Sequence, residues 1–129
     1  MDSLTIFEDD IIVHDNFEEQ YNTLINNAPH GWDVISIFVD PNQHSRFDET
    51  QKVNDYIAKG YQDWSTLGYI ISKNGAEKIC KFVEEHGMNQ PVDWYIFRNG
   101  HAGNFNVYTV PPSIPCSLEI DHTYPSQVQ

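Results

Sequence analysis

A single α/β domain is predicted by three features of the sequence. Short apolar, β-prone runs alternate with amphipathic helical stretches, turn residues separate them, and the chain has 129 residues, enough for one core and not for two. "LTIF", Leu4–Phe7, reads as a first short strand, closed by the acidic triplet Glu8, Asp9 and Asp10. Asp15 or Asn16 caps a helix over Phe17–Asn27, where Phe17, Tyr21, Leu24 and Ile25 share a face and Glu18 and Glu19 suit the helix dipole. Pro29, His30 and Gly31 end it, and "WDVISIFV", Trp32–Val39, reads as a strand covered on both faces.

From Asp40 to Asp63 the pattern weakens into a polar insertion, to be read as either an ordered segment or a substrate loop. Within it Asp48–Lys59 is expected to form a short helix with Val53, Tyr56 and Ile57 inward. "WSTLGYIIS", Trp64–Ser72, is a second strong strand, and Ser72 caps the helix "KNGAEKICKFVEEHG", which stops at Gly87. That helix should bury Ala76, Ile79, Cys80 and Val83, with Cys80 as a small core hydrophobe. Pro91 starts a short helix to about Phe97, "NFNVYTV" is a closing strand, and 110–129 is a Pro-rich tail of the same domain.

Composition narrows the function classes. The chain is 40% hydrophobic and 13% aromatic, with 19 acidic and 7 basic residues and a formal charge of −12. Such a charge disfavours duplex nucleic acid and anionic membranes as partners, because both are bound through basic surfaces. A phosphate-bearing small molecule remains compatible if a divalent cation bridges it to the acidic groups. No apolar run approaches the ~18 residues of a membrane span, and Cys80 and Cys116 make no disulfide framework or zinc pattern. A reduced, cytoplasmic location is expected. The six histidines are scattered without ligand spacing and read as surface or turn residues.

Glu8, Asp9 and Asp10 demand an explanation of their own. Three adjacent like charges repel, and desolvating one costs several kcal/mol unless it is paired or bound to a cation. In open α/β sheets ligands sit beyond the carboxyl ends of strands, which is where this triplet falls. The alternatives are a solvated strand end and a cation site.

Four stretches taken together resemble the glycosyltransferase family 25 domain: "FEDDI" (Phe7–Ile11), "WSTLGYIISKNGAEKI" (Trp64–Ile79), "PVDWYI" (Pro91–Ile96) and, more faintly, "SLEIDHT" (Ser117–Thr123). The resemblance implies a partial glycosyltransferase A-like (Rossmann-like) fold lacking the N-terminal nucleotide-binding half, since the acidic segment begins at residue 7. It also implies a nucleotide-sugar donor such as UDP-galactose, a hydroxyl-bearing acceptor (glycan or protein), and Mn²⁺ or Mg²⁺. Glu8 and Asp10 would hold the metal, two apart on an extended chain and so on one side, with Asp9 pointing elsewhere. Asp93 would be the catalytic base, Trp64, Gly68 and Tyr69 part of the sugar wall, and Asp121 or His122 would approach the diphosphate or the metal. The alternative is a non-catalytic binding or self-assembly module, working through the exposed sheet edge that Leu4–Phe7 would form, as a homo-oligomer or with a partner chain.

Overall fold

The structure is a computed structural model and describes residues 3–65 and 67–121. Its elements are β1 (Ser3–Phe7), β2 (Ile11–Val13), α1 (Phe17–Asn27), β3 (Val34–Ser36), β4 (Ala58–Lys59), β5 (Gly68–Ser72), α2 (Lys73–His86), α3 (Val92–His101), β6 (Val107–Thr109) and β7 (Leu118–Ile120). Five strands form one sheet in the order β1-β5-β3-β6-β4, and β2 pairs with β7 in a second, two-stranded sheet. The sheet is mixed: β3–β6 is parallel, while β1–β5, β3–β5 and β4–β6 are antiparallel.

These pairings fix strand direction. β1 and β3 both run against β5, so they run the same way, and β6 runs with β3. The carboxyl ends of β1, β3 and β6 therefore share one end of the sheet, and the acidic triplet follows β1 there. β1 is the terminal strand of the sheet, with Leu4 62% exposed.

Two apolar clusters hold the layers together. Leu24 of α1 packs with Ile35, Ile37, Ile57 and Ile70, all buried, and Phe17, Tyr21 and Ile25 lean on the same cluster. Burying each such side chain contributes about 1.5–3 kcal/mol. The second cluster joins Val34 and Val107 to Tyr95, Ile96 and Phe97 of α3, with Ile79 and Val83 of α2 against it. The Ser72 Oγ caps α2 by accepting the Gly75 N–H at 2.8 Å, and Gly87 ends the helix at φ 77°. Asp33 ties three elements: its buried carboxylate accepts from Lys78 Nζ at 2.7 Å and from the Asn106 N–H at 2.8 Å.

Several expectations are corrected. The expected helix over Asp48–Lys59 does not form. Pro41–Arg46 and Glu49–Gln51 are 3-10 helices, and the Asn54 side chain accepts the Tyr56 and Ile57 N–H groups in a turn that leads into β4. Ile57 is fully buried there, but Val53 and Tyr56 are exposed. Cys80 is exposed, because the buried face of α2 runs through Gly75, Ile79 and Val83. The strands read as Trp32–Val39 and Trp64–Ser72 are only the ladders Val34–Ser36 and Gly68–Ser72, although residues 33–39 are all buried. β6 lies inside the sheet instead of closing it, and the stretch read as tail supplies β7.

Candidate functional site

The first strand ends where its last ladder bonds do. Phe7 pairs with Gly68, the Glu8 N–H donates to the Leu67 carbonyl at 2.9 Å, and then Asp9 and Asp10 form a turn into β2. The turn interrupts the extended chain on which the two-apart argument for Glu8 and Asp10 rested. Glu8 and Asp9 are exposed and Asp10 is half-buried. The Asp10 Oδ1 is buried and has no hydrogen-bond partner among the described residues. A carboxylate oxygen in that condition is costly unless a cation or water reaches it. The Glu8 charge is also felt nearby: burial, with Glu8 adding, raises the Tyr69 phenol above its ordinary range.

The chain's end returns to the same turn. Antiparallel pairing of Ile11 with Ile120 carries the backbone on so that the Asp121 N–H donates to the Asp10 carbonyl at 2.8 Å. "FEDDI" and "SLEIDHT", far apart in sequence, thus meet in space. His122 lies outside the described residues. Among the described residues no cluster of three or more His, Cys, Asp or Glu side chains is placed to hold a metal by itself.

The segment between Trp64 and Gly68 links this turn to Asp93. Leu67 receives Glu8 as above, and the Ser65 N–H donates to Asp93 Oδ2 at 3.0 Å. Asp93 sits in the first turn of α3 and also accepts the Trp94 N–H at Oδ1, 2.9 Å. Ser65 is held at φ 85°, a left-handed conformation that L-residues adopt at a cost of roughly 1–2 kcal/mol. Gly68 leaves a gap that Leu118 fills: a Cβ there would lie 2.3 Å from Leu118 Cδ1. Its bare backbone serves the meeting of the two sheets. Trp64 is half-buried with the Arg46 guanidinium 5.1 Å from its ring centroid.

Sequence reasoning missed the side chains that hold this loop. Gln62, fully buried, donates from Nε2 to the Phe38, Trp64 and Ser65 carbonyls at 3.1–3.3 Å and to the Ser36 hydroxyl at 3.3 Å. Gln43, also fully buried, donates to the Trp64 carbonyl and accepts the Asp63 N–H. Asp63 in turn accepts from Arg46 and from His101 Nε2, the latter at 3.0 Å. Burial works to raise the Asp63 carboxyl, but the hydrogen bond and charge of Arg46, with His101 adding, bring it below the usual range. Nothing local marks a glutamine as buried; the one available signal is the pair of polar residues closed in by "GYQDW".

No helix among the described residues is long and apolar enough to cross a membrane. A search of curated proteins finds no match to the chain. The family model for glycosyltransferase family 25 (LPS biosynthesis protein) matches residues 1–96, a stretch that holds the acidic turn, the Trp64–Gly68 segment and Asp93. With about three-quarters of its length so matched, the chain belongs to glycosyltransferase family 25.

Proposed function

We propose that the protein transfers a hexose, galactose from UDP-galactose, to a hydroxyl of a glycan or protein acceptor, on a partial fold of the glycosyltransferase A type and with Mn²⁺ or Mg²⁺ at the acidic turn. The observation that carries this reading is the buried Asp10 Oδ1 at the carboxyl end of β1, without a partner among the described residues and inside the family-matched stretch. Hard divalent ions of the Mg²⁺ kind are held by one or two carboxylates and complete their shell with substrate phosphates and water. Asp10 fits that pattern through its buried oxygen, Glu8 would be the second carboxylate, and an all-protein cage is not required. Such an ion would neutralise the donor diphosphate and the charge that grows on the departing nucleoside diphosphate.

The remaining chemistry falls to side chains of this chain. Asp93 takes the proton of the acceptor hydroxyl as it attacks the anomeric carbon. Each of its oxygens accepts one backbone N–H, and a carboxylate has about four acceptor positions, so capacity is left for a hydroxyl. Trp64 and Tyr69 would provide aromatic surface for the sugar, and Asp121, whose N–H donates to the Asp10 carbonyl, would approach the diphosphate.

Calorimetric titration with Mn²⁺ and UDP-galactose tests the proposal. Coupled binding that Glu8→Ala and Asp10→Ala each abolish is expected, and no heat at millimolar ligand would refute it. One observation favours a second reading, a non-catalytic module that self-assembles: among the described residues β1 is a terminal strand, paired with a strand on one side only. A strictly monomeric protein in light scattering would remove it.

A further inference from the structure

We infer that the acceptor bears a neutral apolar group, an alkyl or aryl aglycone, and that the cavity beyond the carboxyl ends of β3 and β6 receives it; this rests on the sugar-transfer reading above. The cavity has a volume of about 530 Å³, in the range of sites for small organic ligands. Its lining is largely apolar and includes Val39, Val110, Pro111, Ile114, Leu118 and Ile120. Its polar lining groups are few. Glu119 is already paired with His14 at 2.9 Å, and the Cys116 thiol already donates to the Ile37 carbonyl at 3.3 Å. Among the described side chains of its lining, His44 and the remaining acceptor positions of Glu119 are the polar groups left to orient a ligand.

Position ties the cavity to the acidic turn. Leu118, Glu119 and Ile120 of β7 line it, and the next residue, Asp121, donates its N–H to Asp10. One three-residue strand therefore forms a wall of the cavity and delivers the chain to the proposed donor site. A molecule whose apolar part fills the cavity would project its sugar hydroxyls towards β7's far end. A free monosaccharide or a polar peptide would leave this wall wet and gain nothing from it. The formal charge of −12 disfavours an anionic amphiphile as the occupant.

The probes are octyl β-galactoside, below its micellar concentration, and methyl β-galactoside, titrated by NMR into the unaltered protein without metal or nucleotide. The expected result is at least tenfold tighter binding of the octyl compound, with methyl shifts confined to Val39, Val110, Ile114, Leu118 and Ile120. Ile114→Trp, which fills the cavity, should remove the difference. Equal affinity for the two probes, or octyl-induced shifts elsewhere on the protein, would overturn the inference, and the shift map needs no variant to fold. Because no metal or nucleotide is present, this test fails separately from the Mn²⁺ titration, whose failure would remove the sugar-transfer reading itself.

Discussion

Replacing Asp93 separates its two roles. The carboxylate accepts the Ser65 N–H at 3.0 Å and the Trp94 N–H at 2.9 Å, and it lies in the first turn of α3. A hydrogen bond to a charged group is worth roughly 1.5–3 kcal/mol, and the half-exposed site puts Asp93 at the lower end of that range. A negative charge in the first helical turn adds about 0.5 kcal/mol. Asp93→Ala should therefore cost about 2 kcal/mol, and Asp93→Asn about 1, since the amide oxygen keeps an acceptor but loses the charge. For a chain of this size that is a fall of roughly 6–10 °C in Tm for the alanine variant. Urea unfolding followed by tryptophan fluorescence and circular dichroism would measure it. If Asp93→Ala left stability within about 0.5 kcal/mol of the unaltered protein, the anchoring of Ser65 would be refuted. If Asp93 is also the base, Asp93→Asn should abolish transfer while remaining folded.

Other outcomes follow from the packing and the charges. Gly75→Ala would normally stabilise a helix by about 1 kcal/mol, but here the Cβ would lie 2.5 Å from the Asp33 carbonyl oxygen, so a net loss of roughly 1–3 kcal/mol is expected in urea unfolding. Gly68→Ala should be destabilising through Leu118, and the double variant with Leu118→Ala should cost less than the sum of the two, as a double-mutant cycle would show. The Asp63 carboxyl is held low in the native state, so its contribution is fully present above the unfolded value of about 3.9 and is lost as pH falls through the native one. Asp63→Asn should accordingly flatten the fall of stability below about pH 4; parallel curves for the two proteins would contradict the Arg46–Asp63 pairing.

What the sequence reveals depends on the range of the interaction. α1 and α2 end where their breakers predict, at Asn27 and at Gly87, because apolar period and turn chemistry are local signals, but only α2 has the expected side-chain cap, since Asn16 makes no capping bond to α1. The polar stretch after Asp40 defeats such reasoning: its 3-10 helices start at the Asp40 and Asp48 side chains and the turn into β4 at Asn54, each bonding backbone two or three residues on. Three-residue strands such as β2 and β7 have too little length to show a period, and they form because Ile11 and Ile120 find each other across the fold. The acidic turn was legible as a place, from three charges after a strand. The meeting of Asp10 with Asp121, and the buried glutamines that brace Trp64, depend on long-range packing that no window of residues contains.

Paramagnetic relaxation by Mn²⁺ tests the central claim most directly. Added at substoichiometric amounts to ¹⁵N-labelled protein with UDP present, it should broaden the amides of Glu8, Asp9, Asp10 and Asp121 first, and Asp10→Asn should suppress the effect. Broadening that begins at exposed carboxylates elsewhere, such as Glu84 and Glu85 on α2, and leaves the turn sharp would contradict a divalent ion there.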